Sequence, residues 1–137
     1  MKPLSRKLGL NPGMKALILA PPPGYLKSLT TAANGLTVSS KAAGTYQFVQ
    51  VFATRLSEIS GFAKKLPKHA APNTLVWISY PRKTSGTDSN LSRDIIREAM
   101  TVVGWRAVSI VALDETWSAL RFRPASQVVS RSNRKPN

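Results

Sequence analysis

The chain has 137 residues, of which 42% are hydrophobic, and this combination predicts one compact domain rather than two. Twenty Lys and Arg residues against six Asp and Glu residues give a formal net charge of +14, which favours a partner that carries anionic groups. There is no Cys, so disulfides, thiolate catalysis and Cys-ligated metal sites are excluded.

The first residues, Met1–Lys7, have the basic character of a secretion signal, but the apolar run that follows, Ala16–Ala20, is too short for export. A membrane span needs roughly 18 uninterrupted apolar residues, and the sequence has no such run. We therefore expect a cytoplasmic protein of bacterial type that does not bind a membrane. A mitochondrial presequence is the alternative, and Pro3, Pro12 and Gly13 argue against its amphipathic helix.

The charges are unevenly distributed along the chain. Residues 1–57 contain seven bases and no acid, residues 58–120 contain eight bases and six acids, and residues 121–137 contain five bases and no acid. We interpret this as a basic N-terminal segment over residues 1–13, a single α/β domain over 14–124 and a disordered basic tail over 125–137. The tail either binds phosphates or only aids solubility.

The first predicted element is a buried strand over Lys15–Ala20, a short apolar run followed by three prolines. Two further elements are left open by the sequence: a short helix over Tyr25–Ala33 and a short edge strand over Leu36–Val38. Central strands are then predicted over Tyr46–Ala53 and Thr74–Tyr80, because both runs are rich in aromatic and β-branched residues.

A helix is predicted between these two central strands, with Thr54 as its N-cap and with Pro67 and Pro72 closing it. Its apolar residues recur at helical spacing: Leu56, Ile59, Phe62, Ala63 and Leu66.

A second helix is predicted to start near Asn90 and to end at Gly104. The side chains that it should bury are Leu91, Ile95, Ala99 and either Val102 or Val103. Its outer face should carry solvated charges: Arg93, Asp94, Arg97 and Glu98.

The last predicted element is a β-hairpin formed by Arg106–Leu113 and Thr116–Arg123. The order of strands and helices requires parallel pairing with right-handed crossovers, so the fold class is a three-layer, Rossmann-like α/β sandwich whose mainly parallel sheet ends in an antiparallel hairpin. We expect eight apolar side chains in its interior: Leu17, Leu19, Val49, Val51, Leu75, Trp77, Ile110 and Leu120.

This closing pattern resembles the second half of a class I methyltransferase. Phe48–Phe52, Asn73–Ser79 and the hairpin read like the fourth to seventh strands of that fold. The chain over residues 8–123 also resembles an uncharacterised bacterial family known only as a domain of unknown function, and four segments carry that likeness: Leu8–Met14, Ala20–Tyr25, Tyr80–Gly86 and Asp114–Leu120. The resemblance implies a reduced methyltransferase-like Rossmann fold and no established activity.

Two features of a nucleoside site are missing from the sequence. A methyltransferase or dinucleotide site needs a glycine-rich turn after the first strand and an acidic residue after the second strand. The turn here is Ala20-Pro21-Pro22-Pro23-Gly24, and no acid precedes Glu58. The sequence therefore argues against an ordinary S-adenosylmethionine site, and we predict no cofactor.

Catalytic and metal-binding residues are not identifiable from the sequence. His69 is the only histidine, is predicted in a surface loop and has no carboxylate near it in sequence. Lys83-Thr84 lacks the glycines of a P-loop. Asp114 and Glu115 are more typical of a turn than of a metal site, so no metal is predicted.

The loops that follow parallel strands share one edge of the sheet, where ligands of open α/β folds bind. Candidate ligand-binding residues on that edge are Pro23, Gly24, Tyr25, Arg82, Lys83, Thr84, Asp114, Glu115 and Trp117. The cations would hold an anion and the rings would stack. The alternative places Trp117 in the core and residues 81–83 in an exposed connection.

These residues support two hypotheses. The first is a non-catalytic binding module for an anionic partner, either nucleic acid or another polyanion or a phosphorylated ligand. The second is a small enzyme on a degenerate methyltransferase-like scaffold, with Asp114 or Glu115 as base and Arg82 or Lys83 holding the anion. The sequence favours the first and does not determine the oligomeric state.

Overall fold

A computed structural model describes residues 7–11, 13–27, 37–39 and 44–127. In this part of the chain, six strands form one sheet in the order β2-β1-β3-β4-β6-β5. The strands are β1 (Lys15–Leu19), β2 (Thr37–Ser39), β3 (Tyr46–Phe52), β4 (Ala70–Pro81), β5 (Trp105–Ala112) and β6 (Trp117–Pro124). Two helices pack on the sheet: α1 (Leu56–His69) and α2 (Arg93–Val102).

The sheet is parallel except for β6. Strands β2, β1, β3 and β4 pair in parallel, whereas β6 lies antiparallel between β4 and β5. The predicted α/β class is therefore confirmed, with the short edge strand present at Thr37–Ser39. Residues 25–27 form one helical turn, and the rest of the predicted helix over Tyr25–Ala33 lies outside the described residues.

Side chains alternate between the two faces of the sheet, as the period of two requires. The first face packs against α1 and α2 and buries side chains such as Leu17, Val49 and Val76. The second face buries Ile18 and Trp77 and is covered by residues 7–10 and the turn at residues 25–27. Each face has its own apolar cluster, so the sheet is the middle layer of the domain.

One of the eight predicted interior residues is exposed. Ile110 lies on the first face of β5 opposite Leu120, and 47% of its surface is accessible. It borders an open cavity near the start of α2 instead of a packed helix. Leu19 and Leu75 are only partly buried, and the other five are buried.

The predicted N-cap of α1 is wrong, whereas the helix ends at His69, between the two prolines that were predicted to close it. The helix begins after Arg55 rather than Thr54, because one carboxylate oxygen of Glu58 accepts the N–H groups of both residues at 2.9 Å. At the other end, Pro67 lies within the last turn and the helix continues to His69. A proline there removes one N–H donor, and the Ala70 N–H closes the helix on the Leu66 carbonyl.

The predicted buried face of α2 is also wrong. The helix starts at Arg93, where the Ser92 hydroxyl accepts the Ile95 N–H at 3.2 Å, and not near Asn90. It buries Ile96 and Met100, whereas Ile95 is 41% exposed and Val102 is 80% exposed. Leu91 is buried as predicted, but it lies in the segment before the helix. The prediction treats Leu91 as a helical position, and the buried face that it gives for α2 is therefore displaced by one residue.

The C-terminal limit of α2 is as predicted, because Gly104 follows the helix with φ of +94°. After β6, Ala125–Gln127 form a 3₁₀ turn in which the Ala125 N–H donates to the Gly104 carbonyl at 2.8 Å. The remainder of the predicted tail lies outside the described residues. Among the described residues, none of the helices combines the length and the apolar character that a membrane span requires.

Candidate ligand site at the carboxyl edge of the sheet

The carboxyl ends of four strands meet at one edge of the sheet. Strands β1, β3 and β4 are parallel, and β5 has the same direction because it and β4 both pair antiparallel with β6. The segments after these strands, around residues 20–25, 53–55, 82–92 and 113–116, therefore lie along this edge. They contain every candidate ligand-binding residue predicted from the sequence except Trp117, which is the first residue of β6.

The turn after β1 contains two residues with a positive φ. Ala20 has φ of +55°, a left-handed conformation that costs an L-residue about 1–2 kcal/mol. Gly24 also has a positive φ, of +83°, and the Tyr25 N–H donates to the Pro22 carbonyl at 3.1 Å. Pro23 and Gly24 are exposed at the tip of this turn.

Tyr25 belongs to a buried polar row on the second face of the sheet. Its hydroxyl donates to Oε1 of Gln50 at 2.6 Å, and Nε2 of Gln50 donates to Oγ of Ser79 at 2.8 Å. Burial raises the pKa of Tyr25 well above its usual value; the Gln50 bond opposes this shift and the Asp114 charge adds to it. Tyr25 therefore stays protonated and links the turn after β1 to β3 and β4.

An aromatic row runs beside these polar groups. The ring of Tyr25 meets Phe52 edge-to-face with centroids 4.7 Å apart, and Phe52 meets Trp117 in the same way at 5.1 Å. Tyr25 and Trp117 both belong to the apolar cluster of the second face. Their rings are thus engaged in packing, which agrees with the alternative that places Trp117 in the core.

The turn between β5 and β6 is held by Asp114. Its Oδ1 accepts the N–H groups of Thr116 and Trp117 at 2.8 and 2.7 Å, and its carbonyl accepts Nη1 of Arg82 at 3.2 Å. The Arg82 N–H donates to the Thr116 carbonyl at 2.7 Å. These bonds use the Asp114 carboxylate as a turn former, which weakens the case for it as a base, while Glu115 is exposed beside it.

A cationic cavity of about 280 Å³ opens on the first face at this edge, which we call the cation cavity. It lies between the end of β4, the start of α2 and the β5–β6 hairpin. Its lining residues are Tyr80, Arg82, Lys83, Ser92, Arg93, Asp94, Ile110 and Ser118. Arg82 and Lys83 were candidates from the sequence, whereas Arg93 was predicted to be a solvated charge of the helix.

The charges of the cation cavity are only partly balanced. Asp94 is its one carboxylate, and it pairs with Nη2 of Arg97 at 2.6 Å, with Nε of Arg93 further away at 3.9 Å. The bond from Arg97 is the main cause that lowers the pKa of Asp94, with smaller effects from Arg93 and Lys83. Among the described residues, neither Arg82 nor Lys83 forms a salt bridge.

Tyr80 contributes a hydroxyl to the same cavity. Burial raises its pKa, and the charges of Arg93, Asp94 and Arg82 act on it in that order of size. These three charges are therefore within electrostatic range of the hydroxyl. Because the pKa is raised, Tyr80 keeps its proton and can donate a hydrogen bond to a ligand.

The predicted site residues thus divide between the two faces. Tyr25 and Trp117 lie on the second face, whereas Arg82 and Lys83 line the cation cavity on the first. Thr84 lies in the 3₁₀ turn Lys83–Ser85 and does not line the cavity. The other six lining residues were not predicted as site residues from the sequence: Tyr80, Ser92, Arg93, Asp94, Ile110 and Ser118. A correct N-cap at Ser92 would have placed Arg93 in the first turn of α2 at this edge.

The only histidine, His69, was predicted to lie in a surface loop, and it lies in a helix instead. His69 is the half-buried last residue of α1, at the end of the helix far from this edge, and its Nδ1 bonds the Gly44 carbonyl at 2.6 Å. The described residues contain no group of three or more potential metal ligands.

No family model and no curated protein sequence matches this chain. Solved structures do match it. A SAM-dependent methyltransferase from Aquifex aeolicus has a TM-score of 0.62 at 16% identity, covering 85% of each chain. The DhpI–SAH complex has a TM-score of 0.59 at 12% identity, covering 91% of this chain and 83% of that one. The ribosomal protein L11 methylase of Lactobacillus delbrueckii subsp. bulgaricus has a TM-score of 0.58 at 10% identity, covering 88% and 74%.

These likenesses show the fold: the chain has the Rossmann-like architecture of SAM-dependent methyltransferases. The methyltransferase resemblance noted in the sequence is therefore confirmed at the level of the fold. The identities are too low to transfer an activity, and the turn after β1 keeps its three prolines where such a site needs glycines.

Proposed function

We propose that this protein binds a small anionic ligand, phosphorylated or carboxylated, at the carboxyl edge of its methyltransferase-like sheet. The observation that carries the proposal is the cation cavity, which has a volume of about 280 Å³ and is lined by Arg82, Lys83 and Arg93. In open α/β sheets ligands bind outside the carboxyl ends of the strands, and this cavity lies there.

Each cation would have its own part in holding the ligand. Arg82 is anchored by the Asp114 carbonyl, so its guanidinium is oriented before the ligand arrives. Lys83 follows it as a point charge on a flexible stem, and Arg93 is contributed by the first turn of α2. Guanidinium groups bind phosphate and carboxylate through paired hydrogen bonds, which favours ligands of these two chemistries.

Neutral donors complete the cavity. Tyr80 retains its proton because its pKa is raised, and the hydroxyls of Ser92 and Ser118 lie in the same lining. The N-terminus of α2, a helix of ten residues, adds the positive end of its dipole at Ser92. Donors and cations outnumber the single carboxylate, Asp94, which already binds Arg97.

The proposal is tested by calorimetric titration with inorganic phosphate and pyrophosphate. The double variant R82A/K83A removes charge-assisted hydrogen bonds, so we expect its affinity to fall by about tenfold or more. The control K64A/K68A removes two exposed lysines of α1 and should bind normally. Equal affinity of R82A/K83A and the unchanged chain would contradict the proposal.

A second candidate is group transfer from S-adenosylmethionine, the alternative from the sequence. It is favoured by the matches to methyltransferases, one of them a complex with SAH. A nucleoside would lie at the ends of β1 and β3, beside the Ala20–Gly24 turn and away from the cation cavity. Micromolar binding of S-adenosylhomocysteine that R82A/K83A does not weaken would select this candidate.

A further inference from the structure

A second cavity adjoins the cation cavity on the first face of the sheet. It has a volume of about 300 Å³ and lies between α2 and the β5–β6 hairpin, and we call it the helix–hairpin groove. Its lining residues are Arg93, Arg97, Ala107, Ser109, Ile110 and Leu120. Arg93 and Ile110 line both spaces, so one small molecule can contact both without a long linker.

The sheet side of the helix–hairpin groove is largely aliphatic. Leu120 belongs to the apolar cluster of the first face, and Ala107 packs against that cluster. Ile110 is paired with Leu120 across the hairpin and is 47% exposed. An exposed aliphatic side chain at the boundary of the two cavities gives an apolar part of a ligand a surface to bury.

The helix side of the groove carries guanidinium groups that are already engaged with a carboxylate. Nη2 of Arg97 lies 2.6 Å from Oδ1 of Asp94, and Nε of Arg93 lies 3.9 Å from the same oxygen. A second anionic group placed here would meet the negative charge of Asp94, which opposes its binding. A guanidinium that is paired at its edge still presents its flat face, and such faces stack on aromatic rings. The groove therefore suits a flat apolar group better than a second phosphate.

We propose that the ligand of the cation cavity is an amphipathic anion, in which a phosphate or carboxylate group is attached to an aromatic ring. The anionic group binds Arg82 and Lys83, and the ring lies in the helix–hairpin groove against Ile110. This inference rests on the proposed function, because it requires the anionic group to occupy the cation cavity. It adds a specificity-determining role for Ile110, which contributes no charge and no hydrogen bond through its side chain.

The test is calorimetric titration of the full chain with methyl phosphate and phenyl phosphate, two monoesters that differ in their apolar group. We expect phenyl phosphate to bind about tenfold more tightly, because the ring is removed from water. R82A/K83A should weaken the binding of both esters, since both carry the anionic group.

The variant Ile110→Ser removes most of the aliphatic side chain, and we expect it to reduce the preference for phenyl phosphate to about threefold or less. Val108→Ser is the matched control and should keep the preference. Val108 is an aliphatic residue of the same strand, is 39% exposed and lines neither cavity. If Ile110→Ser does not fold, Ile110→Thr keeps the β-branched shape that strands favour and should also reduce the preference.

The possible failures of this inference and of the proposed function are distinguishable. If both esters bind equally well and R82A/K83A weakens both, the inference is wrong and the proposed function stands. A preference for phenyl phosphate that persists in the Ile110 variant, or that falls equally in Val108→Ser, would also overturn the inference. If neither ester binds, or if R82A/K83A binds both as tightly as the unchanged chain, the proposed function fails and this inference fails with it.

Discussion

At the scale of single residues, the carboxyl edge is organised by polar side chains that are almost fully buried. Gln50 and Ser79 have no exposed surface, and Tyr25 is 9% exposed. Their two hydrogen bonds connect the turn after β1 with β3 and β4. Buried polar groups are stable only when their partners are present, so this row fixes how the turn sits on the sheet.

The first prediction concerns Tyr25→Phe, which leaves the Gln50 carbonyl oxygen without its donor. We expect the free energy of unfolding at about pH 8 to fall by about 1–3 kcal/mol, measured by urea denaturation. The raised pKa means that the folded state binds the phenolic proton more tightly than the unfolded state. The stability from this group is therefore complete below the usual pKa of 10.0 and is lost as pH rises above it.

The difference between Tyr25→Phe and the unchanged chain should accordingly shrink above pH 10. Ser79→Ala is the control, because it breaks the other bond of the row and contains no titrating group. The effect of Ser79→Ala on the free energy of unfolding should be the same at about pH 8 and above about pH 10. A constant difference for Tyr25→Phe across this range would show that burial does not hold the proton on Tyr25.

At the scale of elements, α2 connects core and site. Its buried residues Ile96 and Met100 pack on the first face, while its first residue, Arg93, lines the cation cavity. The segment before it is fixed to the start of α1, because Oδ1 of Asn90 accepts the Leu56 N–H at 2.9 Å and Oγ of Ser89 donates to the Thr54 carbonyl at 2.7 Å. The position of Arg93 thus follows from the contacts of its helix with two other elements.

The second prediction tests which face of α2 is buried. Ile96→Ala should lower the free energy of unfolding by about 2–5 kcal/mol, because it leaves a cavity in a fully buried position. Ile95→Ala changes the same atoms one residue earlier, where the side chain is 41% exposed, and should cost about 1 kcal/mol or less. Thermal or urea denaturation of the two variants provides the comparison. The opposite order would restore the face predicted from the sequence.

At the scale of the whole molecule, positive charge is in excess over a sheet that has cationic side chains on both faces. The net charge of +14 destabilises a compact state through repulsion, and bound anions would relieve it. A ligand that binds only the folded state stabilises it in proportion to RT ln(1 + [L]/Kd). Stability in different anions is therefore a measure of whether the cationic surfaces act as sites.

The third prediction compares phosphate with chloride at matched ionic strength. Screening of repulsion should raise the melting temperature equally in both salts. Phosphate at a concentration of about ten times its Kd should add about 1.4 kcal/mol to the free energy of unfolding, which raises the melting temperature by about 4 °C for a domain of this size. Differential scanning calorimetry measures this shift. R82A/K83A should lose this extra increment and K64A/K68A should keep it. Equal melting temperatures in phosphate and chloride would exclude specific anion binding.

The order of strands and helices and the class of fold follow from local patterns in the sequence. The apolar runs at β1, β3 and β4 and the short link in the β5–β6 hairpin are local patterns, and the rules of parallel connection then leave few topologies. The sequence also placed Arg82 and Lys83 at the carboxyl edge, because both follow directly after a strand.

Which side chains share a site depends on contacts that form only in the folded chain. The helix start at Arg93 depends on Ser92 as a local cap and on the bond from the Leu56 N–H to Oδ1 of Asn90, which joins residues 34 apart in the sequence. The buried face of α2 is displaced by one residue from the predicted face. Ile96 therefore lies in the core instead of Ile95, and Arg93 lines the cavity. The pairing of Arg106 with Arg123 likewise depends on the register of β5 against β6. The face on which a side chain lies depends here on packing and hydrogen bonds between distant segments. A local sequence pattern therefore does not predict it.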